Sequence, residues 1–149
     1  MAKEIKRAFP ESKITALDLP DVIAAAPRAD GITFRPGDFF EPWQVSADVI
    51  IMSRILRDWD DSKASKILKN AAKALLQGGK CLILEMILQE SAPNGHLCDL
   101  HLLAVSGGRE RTIRQWGDLL NANGFKITSV HSRDGFINVI EGEPYVYDQ

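Results

Sequence analysis

Inside the apolar stretch CLILEMIL, residues 81–88, stands a single carboxylate, Glu85. An ionised carboxylate on a buried strand is costly unless a cation or hydrogen bonds compensate it. Arg57, in SRILRDWDD at 53–61, is the natural partner, because it ends the preceding strand-like run and a guanidinium can grip a carboxylate bidentately. A purely structural ion pair fits the same two residues. Asp18 closes ITALD and Asp38 follows ITFRPG, so both acids fall at strand ends, where the crevice of an open α/β sheet receives ligands and a carboxylate can accept the hydroxyls of a ribose. Each could equally cap a turn. Phe39 and Phe40 could stack on a planar base whose amino group Asp38 takes, or pack in the core. HLCDLH, residues 96–101, gathers His96, Cys98, Asp99 and His101 at spacings that match no strong zinc motif, so a substrate-lining or packed segment is the better reading. His131 reads as structural.

These residues need elements to hold them. Ile5, Ala8 and Phe9 recur at helical spacing until Pro10, KITALDL follows as a strand, and DVIAAA makes a short helix between Pro20 and Pro27. GITFRPGDFF is a second strand with Gly37 at a turn, and ADVIIMSRIL a third. DDSKASKILKNAAKALLQGGK places Ala64, Ile67, Leu68, Ala71, Leu75 and Leu76 on one stripe, with Asp60, Asp61 or Ser62 to cap its start and Gly78 or Gly79 to end it. KCLILEMIL reads as a strand buried on both faces. A helix falls around 91–106, and TIRQWGDLLNANG opens with Thr112 and Gln115 in capping-box spacing and ends at Gly124. FKITSVHSRDGFINVIEGEP reads as two strands joined around Asp134-Gly135. Alternation of this kind implies an α/β sheet, one domain or a piece of one.

The net charge of −2 over 149 residues excludes a basic nucleic-acid footprint and a polybasic membrane patch, and no apolar run approaches the length of a membrane span. The amphipathic start, MAKEIKRAFPES, has no secretory core, so a cytoplasmic setting is expected, with Cys81 and Cys98 reduced. The sequence contains no G-x-S-x-G, H-E-x-x-H, Walker loop or G-x-G-x-x-G.

In order and interval, ALDLP, GDFFEP, SRILRDWDD, ALLQGGKCLILEMIL and SGGRERTIRQWGDLL resemble the cofactor-binding domain of the S-adenosylmethionine-dependent small-molecule O-methyltransferases. That group includes plant phenylpropanoid and hydroxyindole enzymes and polyketide-tailoring relatives. The likeness spans about residues 1–142 and implies a Rossmann-like class I methyltransferase sheet with S-adenosyl-L-methionine as cofactor and a small aromatic or polyketide-like substrate. By the resemblance Asp18, with Leu19 beside it, matches the ribose-binding acid, and Asp38 with Phe39 the pair that holds the adenine. Ser53 and Arg54 fall where the family lines the methionine end. Glu85 and Glu110 match the two acids that bracket the family's catalytic histidine, and Asp99 with Leu103 lies in the substrate-facing segment.

The sequence departs from the pattern in two places. Where the family's LHDW carries a histidine base, this chain has Arg57, which stays protonated and cannot take a proton. It could hold an acidic phenolate or enolate by charge. The family's first strand and glycine-rich loop, with its N-terminal dimerisation and substrate domain, have no counterpart within residues 1–149, which thus read as a partial, C-terminal methyltransferase domain. In the family that strand lies between the ones ending at Asp18 and near Ile55. Backbone groups left unpaired along two buried edges would cost on the order of 1–3 kcal/mol each, so a second protein chain is expected to fill the gap. The expected function is then half of a split O-methyltransferase. Two alternatives stand beside it: Arg57 polarising a carbonyl for a cyclisation or pericyclic rearrangement, and a non-catalytic partner subunit.

Overall fold

The computed structural model describes residues 1–89, 93–132 and 137–145, with the side chains of 93–96 left aside. Its contacts divide into two compact units, Met1–Trp43 and Gln44–Gln149.

The first unit runs α1 (Ala2–Ala8), β1 (Ile14–Asp18), α2 (Pro20–Ala25) and β2 (Ile32–Pro36). Pro20 opens α2 at a position where its missing N–H costs nothing. The two strands are parallel and in register from Ile14 opposite Ile32 to Asp18 opposite Pro36, so both end at the same edge of the pair. The core is thin: among the described residues of this unit only Ile23 is buried, and Phe9 is 66% exposed.

The second unit continues with β3 (Ala47–Ser53), a 3-10 turn (Leu56–Asp58), α3 (Asp61–Ala74), β4 (Leu75–Glu85), α4 (Pro93–Ser106), α5 (Ile113–Ala122), β5 (Phe125–Ser132) and β6 (Asn138–Pro144). The sheet order is β3-β4-β6-β5, parallel between β3 and β4 and antiparallel beyond. Helix α3 packs on β4, α5 on β5 and on α3, and α4 on the 3-10 turn. Asp60 caps α3 by accepting the Lys63 N–H at 2.9 Å, and Thr112 with Gln115 forms the expected capping box on α5. Fully buried Ile67, Leu68, Trp116, Leu120, Phe125 and Ile140 fill the core. The joint around Asp134-Gly135 lies outside the described residues.

The element order is the expected one, with local differences. ADVIIMSRIL stops being a strand at Ser53, because Arg54 takes a left-handed φ of 56° and redirects the chain. Helix α3 ends at Ala74, before either glycine, so Leu75 and Leu76 leave its stripe for β4 and Leu76 is 47% exposed. In β4 the face carrying Cys81, Ile83 and Glu85 is buried, whereas Leu82 and Leu84 are only half-buried. The strand is therefore covered on one face, not two.

Among the described residues β1 pairs only with β2, and β3 only with β4. Each is left with one edge unpaired among the described residues. No helix among the described residues is long and apolar enough to cross a membrane.

Candidate active site

The turn that carries Arg57 is fixed from several directions. Arg54 N–H donates to the Leu84 carbonyl at 3.0 Å, extending the β3–β4 ladder past the bend, and Leu56 is a fully buried anchor. Arg111, also fully buried, donates to the carbonyls of Leu56 at 3.0 Å and Trp59 at 2.9 Å. Its guanidinium lies over the Trp116 ring at 5.2 Å and is held by Asp61 Oδ1 at 2.8 and 3.1 Å, while Arg109 pairs with the other oxygen of Asp61. From the far side Arg109 N–H donates to the Arg57 carbonyl at 2.9 Å. That approach requires glycine at 108, since a Cβ there would lie 2.1 Å from the Arg57 carbonyl oxygen.

Around Arg57 the charges are buried. Its Nη1 lies 3.1 Å from Glu110 Oε1, without an aligned hydrogen bond, and its backbone N–H reaches Glu85 Oε1 at 3.4 Å. The expected guanidinium grip on Glu85 is thus corrected: the side chain goes to Glu110, and Glu85 receives the backbone of the same residue. The reason is local, because the 3-10 turn aims the Arg57 N–H at the end of β4 and sends the side chain elsewhere. Burial pushes the Glu85 carboxyl up to about 7, and the negative charges of Glu110 and Asp58 add to the shift against the N–H and charge of Arg57. Burial also raises Glu110, helped by Asp99 and opposed by Arg57, Arg54 and Arg111. Asp99 accepts the Glu110 N–H at 2.7 Å, tying α4 to the segment that carries Glu110.

A cavity of about 380 Å³ opens beside this cluster, lined by Arg54, Arg57 and Asp58 and by His101, Val105 and Ser106 of α4. Neither Asp99 nor Leu103 lines it; Leu103 belongs to an apolar exposed surface of α4 with Leu97 and Leu100, each more than 60% exposed. Among the described residues no cluster of metal-ligating side chains occurs; Cys98 is a free thiol, and the His96 side chain lies outside the described set. His131 is exposed on β5, with Nε2 2.9 Å from Ser129 Oγ.

In the first unit Asp18 and Asp38 are exposed at the carboxyl ends of β1 and β2. Asp18 Oδ1 accepts the Leu19 N–H and Asp38 Oδ1 the Phe40 N–H, both at 2.8 Å, so the capping geometry is present at both. Phe39 and Phe40 meet edge to face with centroids 5.0 Å apart. Carboxylates fixed by one oxygen beside an aromatic pair are an acceptor set suited to ribose hydroxyls and a planar amino-bearing base.

Residues 1–126 match the family of proteins described by an O-methyltransferase domain. The chain belongs to that family. It is 40% identical over 128 residues to norreticuline-7-O-methyltransferase of Papaver somniferum, covering 83% of this chain and 36% of that protein. It is 34% identical over 151 residues to acetylserotonin O-methyltransferase of Gallus gallus, covering 95% and 44%. Among solved structures, human N-acetylserotonin methyltransferase in complex with SAM superposes with a TM-score of 0.89 at 29% identity, over 97% of this chain and 44% of that one. The chain therefore spans well under half the length of these relatives.

Sequence reasoning singled out Arg57, Glu85 and Glu110 and missed Arg111, Asp61 and Gly108, which position them. The signal was present in SGGRERT, where Gly108 and two arginines flank Glu110, but which arginine would turn inward depends on Asp61, fifty residues earlier in the chain.

Proposed function

We propose that this chain is the cofactor-binding part of an S-adenosylmethionine-dependent O-methyltransferase for small aromatic or polyketide-like hydroxyl compounds, working in a cytoplasmic setting. A second polypeptide, beyond these 149 residues, supplies the remaining strand, the glycine-rich loop and most of the substrate pocket. The observation that carries the reading is Arg57 lining a cavity of about 380 Å³ with two buried carboxyls beside it, in a chain of this family. The open edges of β1 and β3 support the second polypeptide.

The exposed carboxylate acceptors and the aromatic pair at the ends of β1 and β2 support S-adenosylmethionine as the ligand. Asp18 and Leu19 would hold its ribose, Asp38 and Phe39 its adenine, and Ser53 and Arg54 its methionine end. When bound it supplies a methyl group on a positively charged sulfur. Arg57 holds the acceptor oxygen as an anion; being always protonated, it contributes by position and charge and not as a base. Glu110 fixes the guanidinium, Glu85 fixes the turn through the Arg57 N–H, and Asp99 fixes Glu110 through its backbone, while Leu103 lies on the exposed apolar surface of α4, outside the cavity lining.

Calorimetry with S-adenosylmethionine tests the assembly. The lone chain is expected to bind weakly, and co-expression with a polypeptide carrying the family's N-terminal half to restore binding. Tight binding by a lone, cooperatively folded monomer would overturn the second-chain arrangement. Mass analysis of products tests the chemistry: the complex should add one methyl group to its acceptor, and an isomer of unchanged mass would point to rearrangement instead.

A further inference from the structure

We propose that His101, on α4, is the proton acceptor of this site, taking the hydroxyl proton of the methyl acceptor and passing it to water. The inference rests on the methyl-transfer reading above and answers what it leaves open, namely where the proton goes when arginine occupies the base's position.

The cavity is lined by five polar side chains, Arg54, Arg57, Asp58, His101 and Ser106. The two guanidiniums have no lone pair to offer. Ser106 is spent on the end of α4, its hydroxyl donating to the Leu102 carbonyl at 3.1 Å and accepting the Gly108 N–H at 3.2 Å. Asp58 has a half-exposed carboxylate, 4.0 Å from Arg57 Nε, and a carboxylate in contact with water is a poor base towards a phenol. Glu85 and Glu110 are buried and do not line the cavity. An imidazole is the one remaining group that both takes and gives a proton near neutral pH. The charged groups near it are Arg54, Arg57 and Asp58 in the cavity lining and, two residues back on α4, Asp99.

In the step, the acceptor O–H bond breaks with its electron pair left on oxygen, and the proton forms an N–H bond at the unprotonated ring nitrogen of His101. The oxyanion stays beside Arg57 and is the nucleophile. His101 is exposed, so the imidazolium can return its proton to solvent. Arginine and histidine thereby divide two tasks, holding the anion and creating it.

The test uses the assembled enzyme with catechol and the more acidic 4-nitrocatechol as acceptors. H101Q should lower turnover of catechol about a hundredfold, and that of 4-nitrocatechol, already largely ionised, by less than about tenfold. The rise of kcat through neutral pH should disappear in H101Q, and added imidazole should restore part of the catechol rate to H101A. Because the side chain is exposed, both variants should unfold as the parent does. If H101Q keeps the parental pH profile and catechol rate, His101 is not the base, while methyl transfer by the parent still upholds the reading beneath it. If the parent enzyme transfers no methyl group to any hydroxyl acceptor, that reading falls and the base role falls with it.

Discussion

The two units carry their acids in opposite ways. In the first, Asp18 and Asp38 stand in solvent at strand ends, each tied to a neighbouring backbone N–H. In the second, Glu85 and Glu110 are withdrawn from water and rest on Arg57, with Arg111 bracing the turn beside them. Exposed carboxylates cost the fold little and are free to meet a ligand. Buried ones cost it a great deal, so their contribution to stability depends on pH and on a single cation.

The sharpest way to break this contrast is to remove that cation. Arg57→Met should destabilise the second unit by about 3–5 kcal/mol at pH 8, since the buried Glu110 carboxyl loses its ion pair and Glu85 loses a nearby positive charge while keeping the backbone N–H. The loss should shrink at pH 5, where Glu85 takes up a proton and Glu110, shifted the same way, begins to follow; a pH-independent loss in urea titrations would show that Arg57 acts through packing alone.

Next in size is Glu85→Gln. The Glu85 carboxyl lies at about 7 in the folded protein against an ordinary 4.5, so the folded state keeps a proton that the unfolded state has released. Its contribution is therefore fully present below about pH 4.5 and is lost as pH rises through about 7, a span of roughly 3 kcal/mol. Glu110 is shifted in the same direction. In Glu85→Gln the decline from pH 5 to pH 8 should flatten and the variant should be the more stable protein at pH 8; an unchanged slope would assign the titration to another group.

The smallest effect on stability belongs to the first unit. Asp18→Ala should stay within about 1 kcal/mol of the parent, the scale of a lost cap. Binding of S-adenosylhomocysteine by the assembled enzyme should nonetheless weaken about tenfold, the scale of a lost charged hydrogen bond. Equal binding by the variant would leave Asp18 as a turn cap and nothing more.

The same contrast explains what was legible in the sequence. Strand-end acids, the α5 capping box and the alternation of strands and helices are local signals, and the elements follow one another in the expected order. Glu85 was legible as an anomaly, one charge in an apolar run, but its partner was not. A run of residue types cannot say that Arg57 would offer Glu85 its backbone and give Glu110 its side chain, because that depends on the left-handed bend at Arg54 and on the glycine-permitted passage of 108 against the turn. The end of α3 was misplaced for a related reason: Leu75 and Leu76 continue the helical stripe, yet the backbone bridge from Ala47 to Leu75 claims the former for the sheet.

The open edges of β1 and β3 also carry a consequence for how much of this polypeptide a cell can hold. A row of unsatisfied N–H and C=O groups will pair with whatever strand arrives first, a sister copy included. Chain with these edges uncovered would thus be drawn into aggregates or degraded.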